Sequence, residues 1–290
     1  MEECRLCKKE ATLQLSHITP KFVGRFLKKT SAVGHIRNIV EPNKRVQDLV
    51  KDYLLCKECE LRFSKYENQF AENIFYPFHN EKSEFLYKGW LKKFAISLNW
   101  RIGISSLNNS ITPEHPYYNL LQDALEIWRK YLLDELPDPD PYEVHMYFLG
   151  LNSLENFSKV WSTIQHHHMN MRILRSVDFC VTVDEADRLF IYSNLTGITF
   201  ISHIKPSSFE NWTNQSKIKN IGTIKVLQKN TDPYFASFIS QRLAKIDELI
   251  ETRISDKQRD IVNQGITGDL NKAINSKSMG VLNEVLKELL

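Results

Sequence analysis

Two Cys-x-x-Cys pairs, Cys4-Arg5-Leu6-Cys7 and Cys56-Lys57-Glu58-Cys59, are the residues of this chain whose types and spacing most directly imply chemistry. Thiolates are soft, charged ligands, and a Cys-x-x-Cys turn lets two sulfurs reach one tetrahedral Zn²⁺ at about 2.3 Å. Two such turns fill all four positions, so a shared zinc would be structural and any reaction would come from other groups. The interval of 48 residues between Cys7 and Cys56 is longer than in the commonest zinc fingers. The alternative, a redox dithiol, needs its Cys-x-x-Cys at a helix start after a buried strand in a βαβ pattern, and neither pair has that setting. Paired knuckles without a spread of further cysteines point to a reducing, cytoplasmic compartment. The fifth cysteine, Cys180, sits in Val177-Asp178-Phe179-Cys180-Val181-Thr182-Val183 and reads as a small apolar residue of a strand.

The elements that position these residues follow from periodicity. Leu13-Gln14-Leu15-Ser16-His17-Ile18 alternates as a strand does and carries His17, before Pro20 interrupts it. From Lys21 to Lys29 the apolar Phe22, Val23, Phe26 and Leu27 recur at helical spacing among basic residues, and residues 37–51 read as a polar loop containing Pro42-Asn43. After Cys59 a helical period runs to Pro77, and a second helix is expected from about Leu86 to Trp100. Residues 108–116, rich in Asn, Ser, Thr and Pro, are the best linker, giving a first region of 1–107 and a second of 117–290. In the second region a helix from Tyr117 to Leu133 precedes strands at 142–149, 176–183, 188–195 and 198–204. The last two are joined by a Thr196-Gly197 turn, and an antiparallel meander is the simplest arrangement. Helices are expected at 234–254 and 270–290. The fold class is α+β.

The order Leu15-Ser16-His17-Ile18-Thr19-Pro20, then Asn43, then Leu54-Leu55-Cys56-Lys57-Glu58-Cys59-Glu60 resembles the zinc-stapled HNH endonucleases over residues 4 to about 67. Beyond that, Leu55-Cys56-x-x-Cys59-Glu60-x-x-Phe63-Ser64-x-x-Glu67 and Trp90-Leu91-x-x-Phe94-Ala95-x-Ser97-Leu98-x-Trp100-Arg101 are similar to a bacterial group of HNH-like proteins. The resemblance implies a ββα module that grips a divalent ion beside a scissile phosphate. It makes His17 the general base, Asn43 the loop residue that orients the base or helps hold the ion, and the Zn²⁺ of Cys4, Cys7, Cys56 and Cys59 the structural staple. The implied catalytic ion is Mg²⁺ or Mn²⁺. Neutral imidazole is suited to accept a proton from water, while a hard ion stabilises charge on phosphate and leaving oxygen. Two positions depart from the family pattern: Ser16 stands where an Asp or His ligand usually precedes the base, and Glu60 replaces the final His. Asp48 and Glu67 are weaker candidates for the same site.

Each residue also has a plainer reading: His17 as a packed strand residue, Asn43 as turn chemistry after Pro42, and Glu60 as a favourable charge at a helix N-terminus. The net charge of +3 does not by itself announce a nucleic-acid binder. Its distribution is more informative, because Lys21, Arg25, Lys28, Lys29, Arg37, Lys44 and Arg45 face only Glu41 inside the zinc loop. That run suits phosphate neutralisation on DNA, or else a solvated helix face. His166-His167-His168 is not read as a metal site, since neighbouring side chains in a strand diverge. With no apolar run near the roughly 20 residues of a membrane span and no leader pattern, the chain is expected to be soluble. The sequence thus points to an endonuclease on DNA, or to a zinc-dependent binding module that lacks catalysis, with residues 117–290 offering a surface for a protein partner.

Overall fold

The first knuckle is bracketed by two short paired strands, β1 (Glu2–Glu3) and β2 (Glu10–Ala11), in a computed structural model that describes residues 1–149, 172–208, 215–228 and 232–280. The alternating segment forms β3 (Leu13–His17), and the chain continues into α1 (Lys21–Lys29), which buries Val23, Phe26 and Leu27 and turns its lysines and arginine outward. Lys28 and Lys29 lie in its last turn, where they complement the helix dipole. Gly24 allows the following loop to lie close against α1, since a Cβ there would sit 2.9 Å from Leu49 Cγ. Within that loop the structure adds a small ladder of β4 (Ile36–Arg37) and β5 (Arg45–Val46).

β6 (Lys51–Cys56) returns antiparallel to β3 and runs without a break into α2 (Lys57–Phe70). The register pairs Leu13 with Cys56, Gln14 with Leu55, Leu15 with Tyr53 and His17 with Lys51, so Leu54 is an extra residue on β6. This bulge buries the consecutive Leu54 and Leu55, which strict alternation would not allow. α2 passes through one π-helical turn, Ala71–Phe75, into α3 (Tyr76–His79), and Pro77 falls in the first turn of α3, where a missing N–H is tolerated.

The helix expected from Leu86 begins later, because Leu86 and Tyr87 belong to β7 (Glu84–Tyr87). α4 (Trp90–Asn109) is then buried on nearly every side, as a helix at the centre of a core must be, with Phe94 stacked on Phe70 of α2 at 4.0 Å. Gly103 permits its contact with the next helix: a Cβ would meet Leu125 at 2.6 Å. α5 (Tyr118–Leu132) lies where periodicity placed it.

The main sheet comprises β8 (Val144–Phe148), β9 (Val177–Val183), β10 (Leu189–Leu195) and β11 (Ile198–Lys205), all antiparallel in the order β8-β11-β10-β9. Three strands make the expected meander around Thr196 and Gly197, whose positive φ angles of 53° and 95° close the turn. β8 departs from a simple meander by pairing with β11, the last strand. One sheet face rests on α4 and α5. The other is covered by α6 (Pro233–Arg253), whose Phe235, Ile239 and Leu243 meet Tyr147 and Tyr192. β12 (Gly222–Lys225) pairs with β7, and α7 (Asp256–Thr267) and α8 (Leu270–Ile274) follow; residues 172–174 and 277–280 are helical as well, so the helix expected from 270 is broken at 275–276. Residues 1–107 and 117–224 share one cluster of buried apolar side chains, running from Cys4 through α4 to Ile224. His166-His167-His168 and the end of the expected 270–290 helix lie outside the described residues.

The outer edge of β8 is closed by backbone bonds with Ser216 and Ile218 and by the Gln228 amide, and Glu143 clasps the same place by contacts to His145 and Lys217. The His145 hydrogen bond and the Lys217 charge hold the Glu143 carboxyl down to about 2 against the effect of burial. A depressed folded-state pKa stabilises above the unfolded value of about 4.3 and loses its effect as pH falls through the folded value. Glu143→Gln is therefore expected to lower unfolding free energy by roughly 2 kcal/mol at pH 7 and by progressively less from pH 4 toward pH 2, as denaturant titrations at several pH values would reveal.

Candidate functional site

The fold converts two distant knuckles into one cluster. Lys8 adopts φ 62° and donates its N–H to Cys4 O at 2.9 Å, closing the first turn, while Arg5 N donates to Leu54 O at 2.9 Å and fastens that turn to the β6 bulge. Cys56 caps the N-terminus of α2, and Cys59 lies in its first turn. The four ligand atoms of Cys4, Cys7, Cys56 and Cys59 all lie within 4.8 Å of one another, with Cys7 Sγ and Cys56 Sγ 3.8 Å apart. A tetrahedron with metal–sulfur bonds near 2.3 Å has edges of about 3.8 Å, so the cluster fits zinc in size as well as donor type. All five cysteines of the chain are free thiols.

The thiol electrostatics lead the same way. The hydrogen bond from Cys59 holds the Cys4 thiol down to about 4 against burial, while Cys59 is pushed upward by that interaction and by its own burial. Burial also raises the Cys7 thiol. One sulfur can carry charge by sharing a neighbour's proton, but four thiolates this close require a cation.

At the far end of β3, two contacts arise on successive residues. Ser16, buried, donates its hydroxyl to Glu60 Oε2 at 2.6 Å, which joins the strand to the first turns of α2. His17 points to the loop instead, with Nε2 3.0 Å from Asp48 Oδ1, and Lys51 Nζ contacts the other carboxylate oxygen at 2.7 Å. Burial would raise the Asp48 carboxyl, but Lys51 and His17 together hold it well below the usual carboxylate range. Asp48 thus lies at ion-pair distance from Nε2, although that nitrogen makes no hydrogen bond, so the contact is one of charge and position.

The other sequence candidates are engaged elsewhere. Glu67 pairs with the buried Arg101 of α4 at 2.7 Å, and Arg101 also donates to His17 O at 2.8 Å. Glu67 therefore positions the strand through Arg101 and is not free to be a ligand. The sequence motif that ends in Trp100-Arg101 assigns Arg101 no role, although an arginine inside the apolar stripe of α4 signals a buried partner. Asn43 is not brought to His17: its amide donates to Arg253 O at 2.8 Å and accepts from Ser255 N at 2.9 Å, so it joins the zinc loop to the α6–α7 junction. Lys21, Arg25 and Lys29 are exposed on α1, as are Lys44 and Arg45 beyond it. Lys28 donates to Gln47 O, and Lys44 pairs with Glu41.

No protein-family model matches the chain, and neither a curated protein nor a solved structure matches it. Among the described residues, no helix is long and apolar enough to cross a membrane.

Metal analysis of the purified chain is expected to find one zinc per molecule. Cys56→Ser should lose it, and with it a large part of the folding free energy, since structural zinc contributes on the order of 10 kcal/mol. Retention of full zinc by Cys56→Ser, or an unchanged melt after chelation, would refute a shared site.

Proposed function

We propose that this chain is a divalent-metal-dependent, HNH-like endonuclease that hydrolyses phosphodiester bonds in DNA, with His17 as general base. The observation that carries the reading is the β3–β6 hairpin running directly into α2 and stapled by the four cysteines. It brings Ser16 onto Glu60 and sets His17, the next residue, against Asp48. This is the order of parts that a ββα nuclease needs.

The residues fit a hard ion sparingly. Glu60 supplies a carboxylate oxygen and Ser16 a hydroxyl, while Mg²⁺ and Mn²⁺ accept such small protein ligand sets because waters and substrate phosphate complete the shell. The ion, when bound, supplies stabilisation of charge on the phosphate and leaving oxygen. His17 Nδ1 takes the proton of the attacking water, and Asp48 keeps the ring oriented and stabilises the imidazolium that forms. Asp48 replaces Asn43 as the positioning residue. The exposed face of α1 begins four residues after His17, at Lys21, and with Arg25 and Lys29 it offers cations to the DNA backbone. The four cysteines, held as reduced ligands of a structural Zn²⁺, suit a cytoplasmic protein.

One observation favours a second reading, a zinc-stapled DNA-binding module without catalysis: with Glu67 on Arg101 and Asn43 on α6–α7, Glu60 is, among the described residues, the one carboxylate hydrogen-bonded to Ser16. Both readings share the α1 contact, and cleavage separates them.

Zinc-loaded protein incubated with plasmid and single-stranded DNA in Mg²⁺ or Mn²⁺ is expected to cut, and His17→Ala with equal zinc content to lose at least about 100-fold in rate. Equal activity in the two proteins would end the His17 mechanism, and binding without cleavage would select the second reading. Replacing Lys21, Arg25 and Lys29 by alanine should flatten the plot of log K against log salt by roughly 2 to 3 units, at about 0.9 per lost phosphate contact. An unchanged slope would remove α1 from the interface.

A further inference from the structure

The two edges of the main sheet are treated differently. β8 is buried along its whole length and its outer edge is occupied by Ser216, Ile218 and the Gln228 side chain. β9 pairs with β10 on one side, and its other edge has no main-chain partner among the described residues, while Arg242 of α6 donates to Phe179 O at 3.3 Å. All seven of its residues are half-buried, whereas the neighbouring β10 is buried throughout. An edge of this kind is a template for another strand, and proteins that leave one free of partners usually protect it with lysine, proline or a bulge. β9 contains no lysine, proline or bulge, and its one charge, Asp178, is paired with Arg242: its sequence is Val177-Asp178-Phe179-Cys180-Val181-Thr182-Val183, in unbroken register with β10.

Open space flanks this edge on both faces of the sheet. On the α4–α5 side a cleft of about 650 Å³ runs along residues 179–183 between Ile111, Tyr117 and Leu121. On the α6 side a cleft of about 270 Å³ lies between Thr182, Glu185, Phe238 and Arg242. An added strand sends alternate side chains to opposite faces, so an incoming strand would meet one apolar and one polar recess.

β9 itself has that alternation. Val177, Phe179, Val181 and Val183 face the apolar core below α4, while Asp178 faces α6, where it pairs with Arg242 at 2.6 Å, and Cys180 packs on the α6 side as well. The pattern is also close to palindromic about Cys180. Pairing β9 antiparallel with a second β9 in the register that joins all seven residues sets Val177 opposite Val183, Asp178 opposite Thr182 and Phe179 opposite Val181. Apolar side chains then meet apolar ones on one face, polar meet polar on the other, and no like charges stand opposite each other.

We infer that β9 is a self-association edge: two copies of this chain pair through Val177–Val183 about a twofold axis at Cys180, joining their four-stranded sheets into one of eight strands. This gives residues 117–290 a partner of defined chemistry, the chain itself, and it stands whether or not the chain cuts DNA.

The test uses the full zinc-loaded chain. Sedimentation over a range of concentrations should show the mass rising from 34.0 kDa to twice that value. Hydrogen–deuterium exchange at low and high concentration should show the outward amides of 177–183 gaining protection in step with dimer. Val181→Lys, which sets an ammonium into the apolar recess twice by symmetry, should weaken association by roughly 100-fold or more with an unchanged circular dichroism spectrum. A monomer at every concentration would overturn the inference and leave the edge to an extended peptide of another protein. So would a dimer in which 177–183 exchange as fast as in the monomer, or one that Val181→Lys leaves intact. If Val181→Lys does not fold, exchange in the wild-type chain decides alone.

Discussion

Four sulfurs within 4.8 Å of one another are an electrostatic problem that a folded chain can solve only with protons or a cation, and the geometry of the site follows from that solution. Cys56 ends β6 and starts α2, so fixing its sulfur beside Cys4 fixes the hairpin and the helix together. With Leu13 paired to Cys56, the register carries Ser16 and His17 to a set place on β3, and Glu60, next after Cys59, has its own position set by the helix. Ser16 and Glu60 are 44 residues apart in sequence but 2.6 Å apart in space as a direct result.

A second tie holds this module to the rest of the molecule. Arg101 is buried on a largely apolar helix, and it pairs its charge with Glu67 and donates to the backbone carbonyls of Ser97 and His17. A buried cation that loses its partner costs about 3 to 5 kcal/mol, so α2, β3 and α4 are constrained to keep their relation. Asn43 adds a third link, from the zinc loop to the α6–α7 junction. The loop that holds Asp48 is thereby pinned at α1 by the close approach at Gly24 and at its tip by Asn43.

What could be read in advance was what local pattern encodes. β3, α1, α5, α6 and the β9-β10-β11 meander announce themselves by alternation, helical spacing or the Thr196-Gly197 turn, and each was found where expected. The pairing of β7 with β12 was not legible, since it joins two four-residue strands from opposite halves of the chain. α7 escaped notice because Gln258 is its one buried residue, which leaves no apolar stripe to detect. The same limit applies to the site. The cysteines carry their meaning in their spacing, whereas the choice of Asp48 over Asn43 as the partner of His17, and of Arg101 over an ion as the partner of Glu67, depends on how distant segments meet.

We propose that the hairpin and helix hold a second, hard ion at Ser16 and Glu60, next in sequence to His17. Crystals of the zinc-loaded chain soaked in Mn²⁺ test it directly through the anomalous signal of manganese. A manganese peak within reach of the Glu60 carboxylate and the Ser16 hydroxyl, distinct from the zinc peak at the four cysteines, is the expected result. Zinc at the cysteines with no manganese at Glu60, in protein and in its Glu60→Ala variant alike, would contradict it.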